Sequence, residues 1–355
     1  MNDYVTALCT EIETKSNFGN FNTNVSTIYI GGGTPSVLQI SQLETIIVAL
    51  SRKFNLDKLV EFTIEVNPED ITPDYAKGLK SLGVNRISMG VQSFIDEHLK
   101  WFGRKHTSRQ AVEAFGILQK VGFSNISLDL IFGYKNLSIN DLQYNLQQIV
   151  DLHPQHVSTY QLSIDEGSML NLLAKKGEVF LLADEECYKQ YSVIQSELSK
   201  AEYCQYEVSN FALPHFESIH NSNYWRRIPY LGFGTSAHSF IGNHREWNCS
   251  DIERYCDYFT QKGDSVRGTA GNVSSEEMAE ELSEIDVFNE QIMLGLRTTE
   301  GINLATLPKK LLSQIMPQIE EHLVNHNLIK EKNDRIFIPA DKLFVSDGII
   351  SSLML

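Results

Sequence analysis

Apolar, β-branched runs alternate with amphipathic stretches through the first 162 residues. Val25 to Ile30, Glu61 to Val66, Arg86 to Val91, Ile126 to Phe132 and Val157 to Leu162 read as strands. Asp3 to Lys15, Ser41 to Phe54, Thr72 to Leu82, Ser108 to Val121 and Ile139 to Leu152 carry apolar positions at helical spacing. The punctuation agrees. Ser41 is the expected cap of its helix, with Glu44 three residues on. Pro73 stands in a first helical turn, and Gly83 and Gly122 follow helix ends. Strand–helix alternation of this kind predicts an α/β fold with a parallel sheet and right-handed crossovers, open or closed into a barrel. A helix precedes the first strand, whereas a βα-barrel begins with a strand. The first βα unit is therefore expected to be missing from this chain, which leaves an open sheet edge.

After residue 165 the rhythm changes. A long helix is predicted from Asp184 to Ala201, then an irregular aromatic stretch from Tyr203 to Trp247. Helices follow at Asp251 to Lys262, Glu276 to Gly295 and Leu304 to Leu328, with a strand at Arg335 to Pro339. The Gly/Ser stretch from Gly263 to Ser275 is the expected boundary. The chain divides into a core at 1–165, a completing and aromatic segment at 166–265, and a C-terminal, mainly helical, winged module at 266–355.

Composition narrows the function classes. The 355 residues are 42% hydrophobic, enough for a large core and a second unit. A net charge of −15 without a basic run argues against a nucleic-acid partner. No stretch reaches the ~18 apolar residues of a membrane helix, and the N-terminus lacks a signal-peptide pattern. Cys9, Cys187, Cys204, Cys249 and Cys256 are scattered, with no CxxC or CxxxCxxC spacing. An odd count without a secretory signal fits a reducing cytoplasm.

Candidate chemistry gathers at the strand ends. Gly31-Gly32-Gly33-Thr34-Pro35-Ser36 follows the first strand. Glycines there let a ligand lie on the backbone, and their N–H groups can hold a carboxylate or phosphate. No Gly-Lys-Ser/Thr follows, which argues against a P-loop. The next strands end in Glu65 and Asn67, Gln92-Ser93, Asp129, and Tyr160-Gln161. Sites of parallel α/β proteins form at this rim. The plainer alternative is that Glu65 and Asp129 cap helices or pair with Arg86 and Arg104. Arg104 is either a carboxylate clamp or a solvated loop cation. A second cluster comprises His220-Asn221-Ser222-Asn223-Tyr224-Trp225, Pro229 to Gly234, and Ala237-His238-Ser239. Aromatic walls with an imidazole suit a flat apolar ligand carrying a metal. An ordinary packed loop would look the same. His322 and His326, four apart on a predicted helix, read as a solvated face.

Together these residues resemble the HemN/HemW group of radical S-adenosylmethionine (SAM) proteins, over most of the chain. The resemblance rests on Gly31 to Ser36, Ile64 to Pro68, Arg86 to Phe94, Phe102-Gly103-Arg104, Asp129 to Gly133 and the His220-to-Trp225 block. The HNxxYW block followed by PYxGxGxxAHS is closer to the heme chaperones of the group than to its oxygen-independent coproporphyrinogen III oxidases. The resemblance implies a partial radical-SAM-type (β/α) barrel. It implies that Gly32, Gly33 and Thr34 meet the methionyl amino end of SAM. Glu65, Gln92, Arg104, Asp129 and Gln161 would complete the pocket, and His220, Asn221, Tyr224 and Trp225 would contact heme. The family's [4Fe–4S] cluster is held by a CxxxCxxC loop placed before the first helix, so its ligands are expected upstream of Met1. The implied activity is delivery of heme to acceptor proteins, with membrane association only peripheral, through those acceptors. Two alternatives stand beside it: a coproporphyrinogen III oxidase in porphyrin biosynthesis, and a cluster-free, inactive binding module. Gly133-Tyr134-Lys135-Asn136 departs from the family's usual Gly-Leu-Pro-Gly, which leaves the shape of that loop open.

Overall fold

A computed structural model describes residues 1–15, 24–164, 169–176, 182–260 and 278–355. Five parallel strands form the core: β1 (Thr27–Ile30), β2 (Glu61–Val66), β3 (Arg86–Gln92), β4 (Ile126–Phe132) and β5 (His156–Gln161). The short strands β6 (Cys204–Gln205) and β7 (Asn210–Ala212) extend the sheet antiparallel, in the order β1-β2-β3-β4-β5-β7-β6. This is the expected partial barrel. Among the described residues β1 has a sheet partner on one side only.

Helices α1 (Asn2–Thr14), α2 (Ile40–Lys53), α3 (Pro73–Ser81), α4 (Asp96–Trp101), α5 (Ser108–Val121), α6 (Ile139–Leu152), α7 (Met169–Lys175) and α8 (Asp184–Lys200) lie along the first part of the chain. α2 begins before the expected Ser41 cap, because Gln39 caps it and Gln42 Oε1 accepts the Gln39 N–H at 2.9 Å. The aromatic stretch read as irregular contains a seven-residue helix, α9 (Ile219–Trp225), and a hairpin of β8 (His238–Ile241) and β9 (His244–Trp247). α10 (Ile252–Thr260) follows. The expected boundary at Gly263 to Ser275 lies outside the described residues. Strand β10 (Ala279–Glu281) pairs with β9, so the next helix, α11 (Glu284–Leu296), starts later than expected, capped by Ser283 with Asp286. The tail adds α12 (Lys309–Val324), α13 (Ser346–Ser351) and the small sheet of β11 (Ile302–Asn303), β12 (Ile329–Lys330) and β13 (Arg335–Phe337). Pro308 delays the helix read from Leu304. No helix among the described residues is long and apolar enough to cross a membrane.

The parallel strands divide their two faces by chemistry. Phe62, Ile64, Val66, Ile87, Met89, Ile126, Leu128, Leu130 and Val157 are buried in the apolar core. The alternate positions carry Thr27, Tyr29, Glu61, Thr63, Glu65, Arg86, Ser88, Ser127, Asp129, His156, Ser158 and Tyr160. Period-2 alternation puts these on the barrel's inner face. Stability and chemistry therefore sit on opposite sides of one sheet.

Candidate functional site

The glycine loop opens the site. Gly32 and Gly33 have φ of +77° and +61°, a region favouring glycine, and no neighbouring atom occupies the side where a Cβ would point. Gly31 needs its missing Cβ for another reason: the Tyr29 ring and Glu65 Oε1 already fill that place. Glu65 ties the loop to β2. Its Oε2 accepts the Gly32 N–H at 3.0 Å and its Oε1 accepts the Tyr29 hydroxyl at 2.7 Å. Thr34, half-buried, precedes the 3-10 turn at Pro35–Val37.

Asp129 lies further along the inner face, half-buried. Ser88 Oγ donates to its carboxylate at 3.3 and 3.4 Å, and Ser127 Oγ donates at 3.3 Å. Burial raises its pKa to about 6, helped by the Glu65 carboxylate and opposed by Ser158, Arg86 and Ser88. Gln92 is buried at φ +70°, where the register of β3 against β4 shifts, and its amide lies over Gly90. A non-glycine residue held there stores strain of the kind found at binding sites. Arg104 follows α4, and its Nη1 reaches Asn67 Oδ1 at 3.5 Å. Burial lowers its pKa, against the pull of Glu69 and Asp129. Neither Glu65 nor Asp129 forms an ion pair with Arg86 or Arg104 among the described residues, unlike the plainer alternative. Gly32, Gly33, Glu65, Gln92, Arg104 and Asp129 thus share one rim. Gln161 does not: its side chain lies against Gly133, near Cys187, on the other face of β5. Its neighbour Tyr160 is on the inner face, where burial, then Asp129, raises its pKa.

The loop at Gly133 is built on Tyr134. This fully buried ring stacks on Trp101 at 5.5 Å and meets Phe102 edge-on at 4.9 Å. Its hydroxyl bonds His98 Nδ1 at 3.0 Å. Tyr134 thereby fixes the residues immediately before Arg104.

α9 packs against the inner face of β1 and β2. Glu61, buried, accepts three hydrogen bonds at its N-terminus: Ser218 Oγ at 3.3 Å, Ile219 N–H at 2.8 Å and His220 N–H at 2.9 Å. His220 stacks on Tyr29 with centroids 5.0 Å apart. Both its nitrogens are engaged, Nδ1 with Thr27 Oγ1 and Nε2 with the Tyr224 hydroxyl, each at 2.9 Å. Burial lowers its pKa, with Glu61 opposing. Asn221 donates its N–H to Ser218 Oγ at 3.2 Å. Trp225 ends the helix with a buried, unpartnered indole N–H. Deeper inside, Arg86 is 1% exposed and its Nε has no partner, and His156 is bonded by Ser127 Oγ and the Tyr206 hydroxyl. The strand ends did not point to Tyr29, Glu61 and His156; the alternation within each strand carried the signal.

All five cysteines are free, and no group of three His, Cys, Asp or Glu side chains that could hold a metal occurs among the described residues.

Comparisons with known proteins give the family. Residues 11–149 match the radical SAM superfamily. The heme chaperone HemW of Bacillus subtilis is 33% identical over 335 residues, spanning 93% of this chain and 86% of that protein. HemW of Escherichia coli is 35% identical over 67% of this chain and 62% of its own length. Coproporphyrinogen III oxidase (HemN) from Escherichia coli shares the fold, with a TM-score of 0.80 at 19% identity over 99% of this chain and 83% of that one. With its parallel partial barrel, glycine loop and HNxxYW helix, the chain belongs to the HemW family of radical SAM proteins.

Proposed function

We propose that this protein binds heme and SAM and hands heme to acceptor proteins. The observation that carries the reading is the bonded path from loop to helix: Gly32 N–H to Glu65, Glu65 to Tyr29, and Tyr29 stacked on His220 of the HNxxYW helix. One rigid path connects the side where SAM would lie to the helix associated with heme. The residues present fit SAM. The open backbone at Gly32 and Gly33 accepts the methionyl amino end, Arg104 supplies a cation for its carboxylate, and Asp129, ionised above about pH 6, accepts from ribose hydroxyls. Gln92 and Thr34 line the same rim. Bound with a reduced cluster, SAM supplies radical chemistry. The cysteines of this chain do not fit such a cluster, and no step is assigned through it. His220 orients α9 from the inner face, with Tyr224 and Asn221 fixing the helix. The curated HemW relatives are named heme chaperones, and the oxidase is a relative in fold at lower identity. The reading places the protein in the cytoplasm, with peripheral membrane contact through acceptors. The test is hemin titration of the full chain, then mixing the loaded protein with an apo b-type cytochrome. One hemin per chain and transfer of the Soret band are expected; absence of stoichiometric hemin uptake refutes the reading.

A further inference from the structure

A cleft of 820 Å³ lies between the end of α9 and the C-terminal module, away from the glycine loop. Tyr206, His215, Trp225, Arg226, Arg227 and Arg335 line it. The volume is that of a pocket for a large organic ligand.

Three independent features say what kind. The first is charge. In a chain of net −15, three guanidiniums converge here, against Glu217 and Glu300 in the lining. Arg226 and Arg335 share the one Glu300 carboxylate, at 3.0 and 3.7 Å. Arg227 is already paired with Glu290 at 3.0 Å, so it is the sharing of Glu300 that leaves Arg226 and Arg335 with donors for an incoming carboxylate. The second is unmet hydrogen bonding. Trp225 Nε1, Arg227 Nη2 and Gln291 Oε1 are buried along these walls without a partner. Buried polar atoms are normally paired, so three together mark a wall that a polar ligand or water completes. The third is an available imidazole. His215 is exposed at φ +73°, a conformation uncommon outside glycine, and it has no hydrogen-bond partner among the described residues. Neutral imidazole is the commonest protein ligand for a metal. His220, with both nitrogens engaged, has no lone pair to offer in this arrangement.

We propose that this cleft is the tetrapyrrole site, with His215 ligating the iron and Arg226, Arg227 and Arg335 receiving the ring's carboxylates. The assignment rests on the heme reading above and adds its location and ligand. Tyr206 and Trp225 supply aromatic surface for the macrocycle.

The test titrates the full chain with hemin and with metal-free protoporphyrin IX, followed by Soret absorbance. His215→Ala is expected to weaken hemin at least about tenfold and leave protoporphyrin IX unchanged. Thr299→Trp, at an exposed position lining the cleft, should weaken both by obstruction. Wild-type hemin affinity in His215→Ala, or wild-type affinity for both ligands in Thr299→Trp, overturns the assignment. If the unmodified chain takes up no hemin at all, the heme reading itself has failed, which is a different result.

Discussion

Glu61→Gln tests how α9 is held. The carboxylate accepts from Ser218 Oγ and His220 N–H on Oε1, and from Ile219 N–H on Oε2. A glutamine can keep an acceptor for two of these donors. Its NH2 then faces the third, the Ile219 N–H that stood 2.8 Å from the oxygen. The lost bond is charge-assisted, worth about 1.5–3 kcal/mol, and an unpaired buried N–H adds to the loss. Removing a buried charge returns part of this, because desolvation of the carboxylate no longer opposes folding. The balance is a destabilisation of about 2–3 kcal/mol. A seven-residue helix cannot hold itself in water, so the loss should appear first as local opening of α9. Urea unfolding measures the global change, and amide hydrogen exchange at Ile219 and His220 measures the local one. A change below about 0.5 kcal/mol with unaltered exchange at both amides would refute the claim that Glu61 anchors the helix.

Three further expectations follow from the geometry. Asp129, with its pKa raised to about 6, loses its charge as pH falls through that value. If its carboxylate accepts from ribose, the Kd for SAM at pH 5 should be about tenfold above that at pH 7, and a flat dialysis profile would contradict this. Burial raises the Glu207 pKa to about 7, so the native state holds this proton more tightly than the unfolded chain. Its stability contribution is full below the ordinary glutamate value and declines as pH rises through 7. Glu207→Gln, which keeps an acceptor for the Ser209 N–H, should therefore gain about 1–3 kcal/mol in urea unfolding at pH 8 and little at pH 4. Tyr134→Ala empties a fully buried site and should cost about 3–5 kcal/mol. It should also weaken SAM binding by releasing the residues before Arg104; unchanged SAM affinity would separate Tyr134 from that role.

Much of the core was legible because its strands and helices repeat at distinct periods. β2, α5, β4 and α6 lie where their patterns put them, since caps and the pleat act locally. α9 was not legible: its seven residues, Ile219 to Trp225, have no long apolar face, and its stability comes from Glu61, 158 residues away from Ile219. β10 was hidden for the same reason, as its pairing with β9 is a long-range fact. At the rim, Glu65, Gln92, Arg104 and Asp129 converge because parallel strands end on one side. Gln161 departs because one residue along a strand changes the face, which gives the inner position to Tyr160.

The same geometry divides the HNxxYW block into two tasks. At about 100° per residue, His220 and Tyr224 lie on one side of α9, four apart, and their side chains bond at 2.9 Å. Trp225 is five residues from His220 and so turns roughly 140° away. The helix fills the polar inner face with His220, satisfying Thr27 and covering Tyr29. It presents Trp225 to the cleft on the other side. A helix this short cannot rearrange one side and leave the other in place, because Glu61 holds its first turn and the Tyr29 and Tyr230 rings pack on His220 and Tyr224. A ligand that shifts Glu65 or Tyr29 at the glycine loop is therefore expected to shift Trp225 as well, and by linkage the reverse.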